Sequence, residues 1–314
     1  MKSVLEGILS ALAYHDGFDA PLTAQEIFFA LPATEGTRPS FEDVDAALAE
    51  ACARGHVSSR EGFYCLPGRE AVVSERKSRY ALAEGKYARV RKFLRLARHI
   101  PYVRAAFVCN TLARSNARPE SDIDLYVVAA PGRIWSTRLI VAGLAALLGV
   151  RPTATESADR ICLSFFVTGD ALNLRALAIE DDVYLAHWLH ELYPVYDEAG
   201  ITRRSYVENG WLRSVLPETR VQTPSQRRAL PSSWLSGKRT IERALDAALG
   251  DRLERWSKRR QMAWLPPALR AAAGAGSSNV VLSDTVLKFH DHDRRTEIRD
   301  RYREKTAHVL RALA

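Results

Sequence analysis

Two aspartates two residues apart, inside an otherwise apolar run, constrain this chain more than any other feature. They lie in "VCNTLARSNARPESDIDLYVV", residues 108–128. Alternate side chains of a strand share a face. A strand here points Asp122 and Asp124 one way, and Ile123, Leu125 and Val127 the other way into a core. Neighbouring carboxylates repel, and burying either one alone is costly. A cation held between them would resolve the conflict. A strand that starts at a wet edge, with both aspartates in solvent, would resolve it too. The small and polar loop upstream, 109–121, favours the cation.

The elements around the doublet set the fold class. A buried strand is expected over 103–109 and a helix over 134–148. A strand over 160–168 and a helix over 181–192 follow. Strands alternating with helices imply a sheet covered by helices. Upstream, helices are expected over 3–14, after Thr23 with a capping box to Glu26, and after Ser40, stopping at Gly55. A hairpin around Glu61-Gly62 comes next. Three helices and a hairpin are the order of a winged helix. Its third helix carries Glu42, Asp43, Asp45 and Glu50 against Arg54 alone. Phosphate repels such a helix, so this module is expected to contact protein, or to dock within the chain, rather than bind DNA. Residues 69–98 form a basic helix with ten Lys/Arg against three Glu.

With 314 residues the chain has room for two or three domains with sizeable cores. The longest apolar run, 139–150, is too short to span a bilayer. The opening "MKSVLEGILSALAYHDG" carries Glu6 and no small-residue cleavage site, so no signal peptide is expected. Cys52, Cys65, Cys109 and Cys162 are scattered without a C-x-x-C pair. That argues against a disulfide framework or zinc site and for a reducing, cytoplasmic setting, while the short apolar run argues against a membrane partner. Net charge is +8, yet residues 1–67 hold four basic and ten acidic residues, a net of −6, which leaves +14 for the rest. Basic stretches at 69–98 and 220–260 would suit a nucleic-acid partner.

The strand–loop–strand at 103–128 resembles the core of the nucleotidyltransferase superfamily, which includes DNA polymerase beta and the antibiotic nucleotidyltransferases. That pattern runs Gly-Ser-x-Ala-Arg-Gly after a strand, then Ser-Asp-x-Asp on the next. This chain reads Asn110-Thr111-Leu112-Ala113-Arg114-Ser115, then Ser121-Asp122-Ile123-Asp124. From Thr111 to Asp122 is 11 residues, the family interval. The whole chain is also similar to a bacterial group with a winged helix before such a domain. The resemblance implies that Asp122 and Asp124 are catalytic and bind Mg²⁺ or Mn²⁺. It implies that Asn110, Thr111, Arg114 and Ser121 hold the triphosphate of an NTP, whose NMP passes to an acceptor. The acceptor is open: nucleic acid, small molecule or protein.

There are departures. Asn110 and Ser115 replace the two family glycines, and Asn tolerates positive φ better than other non-Gly residues. The third family carboxylate has no counterpart on "ICLSFFV", where Ser164 is central. Asp159 and Asp170 flank that strand, and His290 or Asp293 in "LKFHDHDRR" offers another route to an acid or base. Within 288–295, a metal site, a phosphate or acceptor contact through Lys288, His290 or Arg294, and a structural polar corner are all open. An acceptor phosphate, already ionised, would need no base.

The chain is therefore expected to be α+β. A nucleotidyltransferase-fold mixed sheet flanked by helices (99–216) follows a winged-helix domain (1–68) and the linking helix (69–98). A mainly helical region (217–314) ends it. The functional expectation is a metal-dependent nucleotidyltransferase. The alternative is a catalytically degenerate adaptor that binds nucleotide or nucleic acid.

Overall fold

A computed structural model describes residues 2–34, 38–153, 155–198, 200–231, 236–276, 278–289 and 293–313. Its first unit is α1 (Lys2–Asp16), α2 (Ala24–Ala30), α3 (Phe41–Ala53) and a hairpin of β1 (Ser58–Arg60) and β2 (Phe63–Cys65). Both expected caps form. Thr23 and Glu26 make a reciprocal capping box, as do Ser40 and Asp43. The hairpin turns through Glu61 and Gly62 at φ +52° and +80°, the twist that suits a two-residue connection. Ile8, Leu12, Ile27, Val44, Leu48 and Val57 form its core.

The 27-residue α4 (Ala71–Ala97) ties this unit to the sheet. Near its start, Arg76 bonds Glu26 and the Pro21 carbonyl. Further on, Tyr87, Val90, Phe93 and Leu94 pack into the sheet's core. Arg89, Lys92 and Arg95 stay exposed, so much of its charge is a solvated face. Lys86, like Arg76, is buried, and it donates to the Ser121 carbonyl (2.6 Å) and to Asp159 (2.8 Å).

Beyond α4 the chain runs β3 (Val103–Val108), α5 (Asn110–Ala113), β4 (Ile123–Ala129), α6 (Ile134–Leu147) and β5 (Ile161–Thr168). Then come α7 (Val183–Glu191), β6 (Tyr193–Asp197) and α8 (Ile201–Glu208). After these follow α9 (Ser236–Ala248), α10 (Gly250–Trp264), α11 (Pro267–Gly274), β7 (Val280–Leu282), β8 (Val286–Phe289) and α12 (Arg295–Arg311). The six-stranded sheet has the order β6-β3-β4-β5-β8-β7, and only β4 and β5 pair in parallel, with α6 as their crossover. One sheet face packs α4, α6 and Met262 of α10, and the other packs α7 and α8. The α+β class with a mixed sheet is as expected.

Two features differ from the sequence reading. "YPVYD" forms β6, which sequence alone presents only as core aromatics. Pro194 weakens the strand signal, and an edge strand is where a proline is tolerated. The 217–314 segment is mostly helical, but β7 and β8 complete the central sheet and α12 packs on α1.

Candidate functional site

β3 ends at Val108 and β4 begins at Ile123, so the intervening loop crosses one end of the sheet. The loop opens with a single helical turn, α5, and closes back on itself by an Asn116 N–H to Thr111 O bond of 2.8 Å. Asn110, which opens α5, and Ser115, just past its end, have φ of +58° and +56°. Both adopt the left-handed conformation that glycine adopts freely. Asn116 is buried, donates to the Phe18 carbonyl (2.8 Å) and accepts from Arg79 (3.2 Å), which fastens the loop to the N-terminal unit.

Asp122 and Asp124 both line one cleft, while Ile123 and Leu125 are buried on the other side. Pairing in the β4–β5 ladder sets Cys162 beside Asp124. Donor atoms of Asp122, Asp124 and Cys162 lie within 4.8 Å of one another. Burial, and then the charge of Asp124, push the Asp122 carboxyl up to about 6. Burial and the same carboxylates push the Cys162 thiol up to about 12. Two carboxylates and a thiol form a donor set that a divalent cation fits, and their mutual repulsion is what a cation would relieve.

Asn110 lines the cleft, and its side chain is engaged by neighbouring residues. Its amide donates to Asp124 Oδ2 (2.6 Å) and accepts from Tyr184 Oη (3.1 Å) and Trp188 Nε1 (3.0 Å). It therefore orients a carboxylate through two residues of α7. Thr111 lines the cleft, and its hydroxyl has no hydrogen-bond partner among the described residues. Ser121 also lines it, with its hydroxyl turned to the Arg118 carbonyl (2.9 Å).

The cleft encloses about 410 Å³. Tyr14 and Phe18 of the first unit line part of it, and Arg294, Ile298, Arg301, Tyr302 and Lys305 from the start and one face of α12 line another part. Glu297 binds both Arg294 (3.0 Å) and Arg301 (2.7 Å), so the two guanidiniums share one carboxylate. Lys305 pairs with Asp16. A second cavity of about 110 Å³ shares Asn110, Tyr184, Arg294 and Ile298 with the first and adds Phe165, Trp188, Ser164 and Lys288. Burial, then Arg295, lower the Lys288 ammonium to about 8.

Three expected site residues lie elsewhere. Arg114 is largely covered, with its side chain 9% exposed. It bonds His15 Nδ1 (3.1 Å), pairs with Glu191 (3.2 Å) and stacks over Phe18 (4.6 Å), so it joins two units and does not line the cleft. Asp159 is held by Lys86 (2.8 Å) and Arg89 (3.2 Å), outside the cleft lining. Asp170 is exposed just past the far end of β5. Asp124 pairs at the start of that strand, and six residues of strand span about 20 Å. His290 lies outside the described residues. Asp293 lines the smaller cavity, bound to Arg295 (2.5 Å).

Sequence reasoning missed Cys162 because strand register is not written in one strand alone. It also missed Arg301 and Lys305, although Arg294, Ile298, Arg301 and Lys305 recur at helical spacing. No family model, curated protein or solved structure matches this chain.

Proposed function

We propose that the cleft is the site of a metal-dependent nucleotidyltransferase. The observation that carries this reading is the convergence of Asp122 and Asp124 on a cleft that also holds Thr111 and the basic face of α12. Asp122 and Asp124, with Cys162 beside them, would hold the cation. When bound, a Mg²⁺ or Mn²⁺ ion supplies charge neutralisation and Lewis acidity at a phosphate. Thr111 Oγ1 donates to a phosphate oxygen of the NTP. Arg294, Arg301 and Lys305 balance the polyphosphate charge. Asn110, held by Tyr184 and Trp188, fixes the Asp124 carboxylate. The acceptor oxygen bonds the α-phosphorus as its bond to pyrophosphate breaks.

Among the described residues, the only carboxylates lining the cleft are Asp122 and Asp124. An acceptor that is already ionised, such as a phosphate, therefore suits the site best, because it needs no proton removed. The same observation favours a second reading, an adaptor that binds nucleotide without turning it over. The N-terminal unit is read as a winged helix that docks within the chain. Its α1 packs on α12, and the exposed Glu42, Asp43 and Asp45 of α3 repel a phosphate backbone.

The test is a titration of Mn²⁺ with the full chain, read by electron paramagnetic resonance, with and without each NTP. Binding of Mn²⁺ that tightens with NTP and is lost in Asp124→Asn supports the site. Equal Mn²⁺ binding by Asp124→Asn overturns it.

A further inference from the structure

The surface of α10 remains without a use. Its inner side is fully engaged. Glu254 caps α6 through the N–H groups of Trp135 (2.7 Å) and Ser136 (2.9 Å), and Gln261 donates to the Trp135 carbonyl (2.7 Å). Ser257 and Gln261 are buried there. The outer side carries Arg252, Arg255, Trp256, Arg259, Arg260 and Trp264. Their spacings of three, four, seven, eight and twelve residues from the first place them on one half of the helix. All six are exposed, with Trp256 at 49% and Trp264 at 61%.

This chain pairs its charges densely, yet none of these four arginines has a carboxylate partner among the described residues. The acids of the same helix turn away from the face. Asp251 binds Arg133 and Glu254 caps α6. Arg260 lies 4.6 Å from the ring centre of Trp264, which keeps that indole oriented. The helix thus offers four unneutralised guanidiniums and two protruding indoles about 12 Å apart along its axis.

We infer that the outer face of α10 binds single-stranded nucleic acid, with phosphates on Arg252, Arg255, Arg259 and Arg260 and unpaired bases stacked on Trp256 and Trp264. Guanidinium forks match phosphate oxygens, and every base has a π-face for an indole. A duplex keeps its bases stacked inside, which leaves the indoles without a partner. A helix lying in a membrane buries a continuous apolar face, and here the apolar side of α10 is turned inward onto α6. The surface lies across the sheet from the Asp122–Asp124 cleft and does not depend on the transferase reading.

The test uses the full chain and fluorescence anisotropy with labelled oligo(U) and oligo(dT) of about 12 nucleotides, long enough to cover such a patch. Micromolar binding is expected at ~50 mM salt, falling with a log–log slope of about −3 for four phosphates on a single strand. A duplex of equal length should bind at least about tenfold more weakly. Trp256→Ala/Trp264→Ala should weaken binding about tenfold or more, while Trp256→Phe/Trp264→Phe retains most of it. Arg255→Gln/Arg259→Gln should halve the salt slope. All six side chains point outward, and circular dichroism checks that the variants stay folded. Any one of four results overturns the assignment. These are duplex affinity equal to single-strand affinity, binding to phosphatidylglycerol vesicles but not to oligonucleotides, no oligonucleotide binding at ~100 μM protein and low salt, or variants that bind like the parent.

Discussion

Replacing Asp122 by Asn should stabilise the cation-free protein, although it removes a site residue. The Asp122 carboxyl ordinarily titrates near 3.8, and burial with the Asp124 charge raises it to about 6. A raised carboxylate favours the folded state only while protonated. Its contribution is fully present below pH 3.8 and is lost as pH rises through about 6. That rise corresponds to about 3 kcal/mol, and partial solvation of the group leaves on the order of 1–2 kcal/mol. For a chain of this size that is a gain of ~3 °C in Tm. Differential scanning calorimetry in EDTA should show the gain at pH 7.5 and not at pH 4, where both proteins are neutral at this position. Added Mn²⁺ should raise the Tm of the parent more than that of Asp122→Asn. A variant that melts below the parent in EDTA at pH 7.5, with no difference in Mn²⁺ response, would show that Asp122 is neither strained by burial nor part of a cation site.

Cys162→Asp places a third carboxylate beside Asp124 and should tighten Mn²⁺ binding about tenfold or more, as calorimetric titration would show; unchanged or weaker binding counts against Cys162 as a neighbour of the ion. Arg114→Ala should cost about 3–5 kcal/mol in a denaturant melt, because it leaves Glu191 buried without its partner, and should change Mn²⁺ affinity little. Burial holds His15 and His187 well below the usual imidazole range and lowers His190 to about 4. A depressed histidine favours folding above its unfolded value and loses that contribution as pH falls, so stability should drop from about pH 6.5 toward 4. The triple variant with Phe at these positions should flatten that drop in pH-dependent melts.

Local signals were legible where short-range chemistry sets them. The Thr23–Glu26 box, the Ser40 cap, the Glu61-Gly62 turn and the apolar periodicity of the first unit needed no tertiary information. The loop turns without glycine because Asn110 and Ser115 take positive φ. The shared direction of Asp122 and Asp124 follows from strand geometry. What stayed hidden depends on distant pairing. Arg114 looks like a phosphate ligand until Glu191 and His15 arrive from other elements. Asp159 looks like a free acid until Lys86 is buried against it. Cys162 gains its place from the β4–β5 register, and α12 reaches the cleft only because β8 joins the central sheet.

The fate of the α-phosphate separates transfer from mere binding. The full chain is incubated with each NTP labelled at the α- or the γ-phosphate, Mn²⁺ and a cell extract, and labelled species are separated and identified. The α-label, and not the γ-label, should appear on an acceptor with release of pyrophosphate, and Asp124→Asn should abolish this transfer. Transfer that persists in Asp124→Asn, or no α-label on any acceptor with any NTP, would contradict the transferase reading.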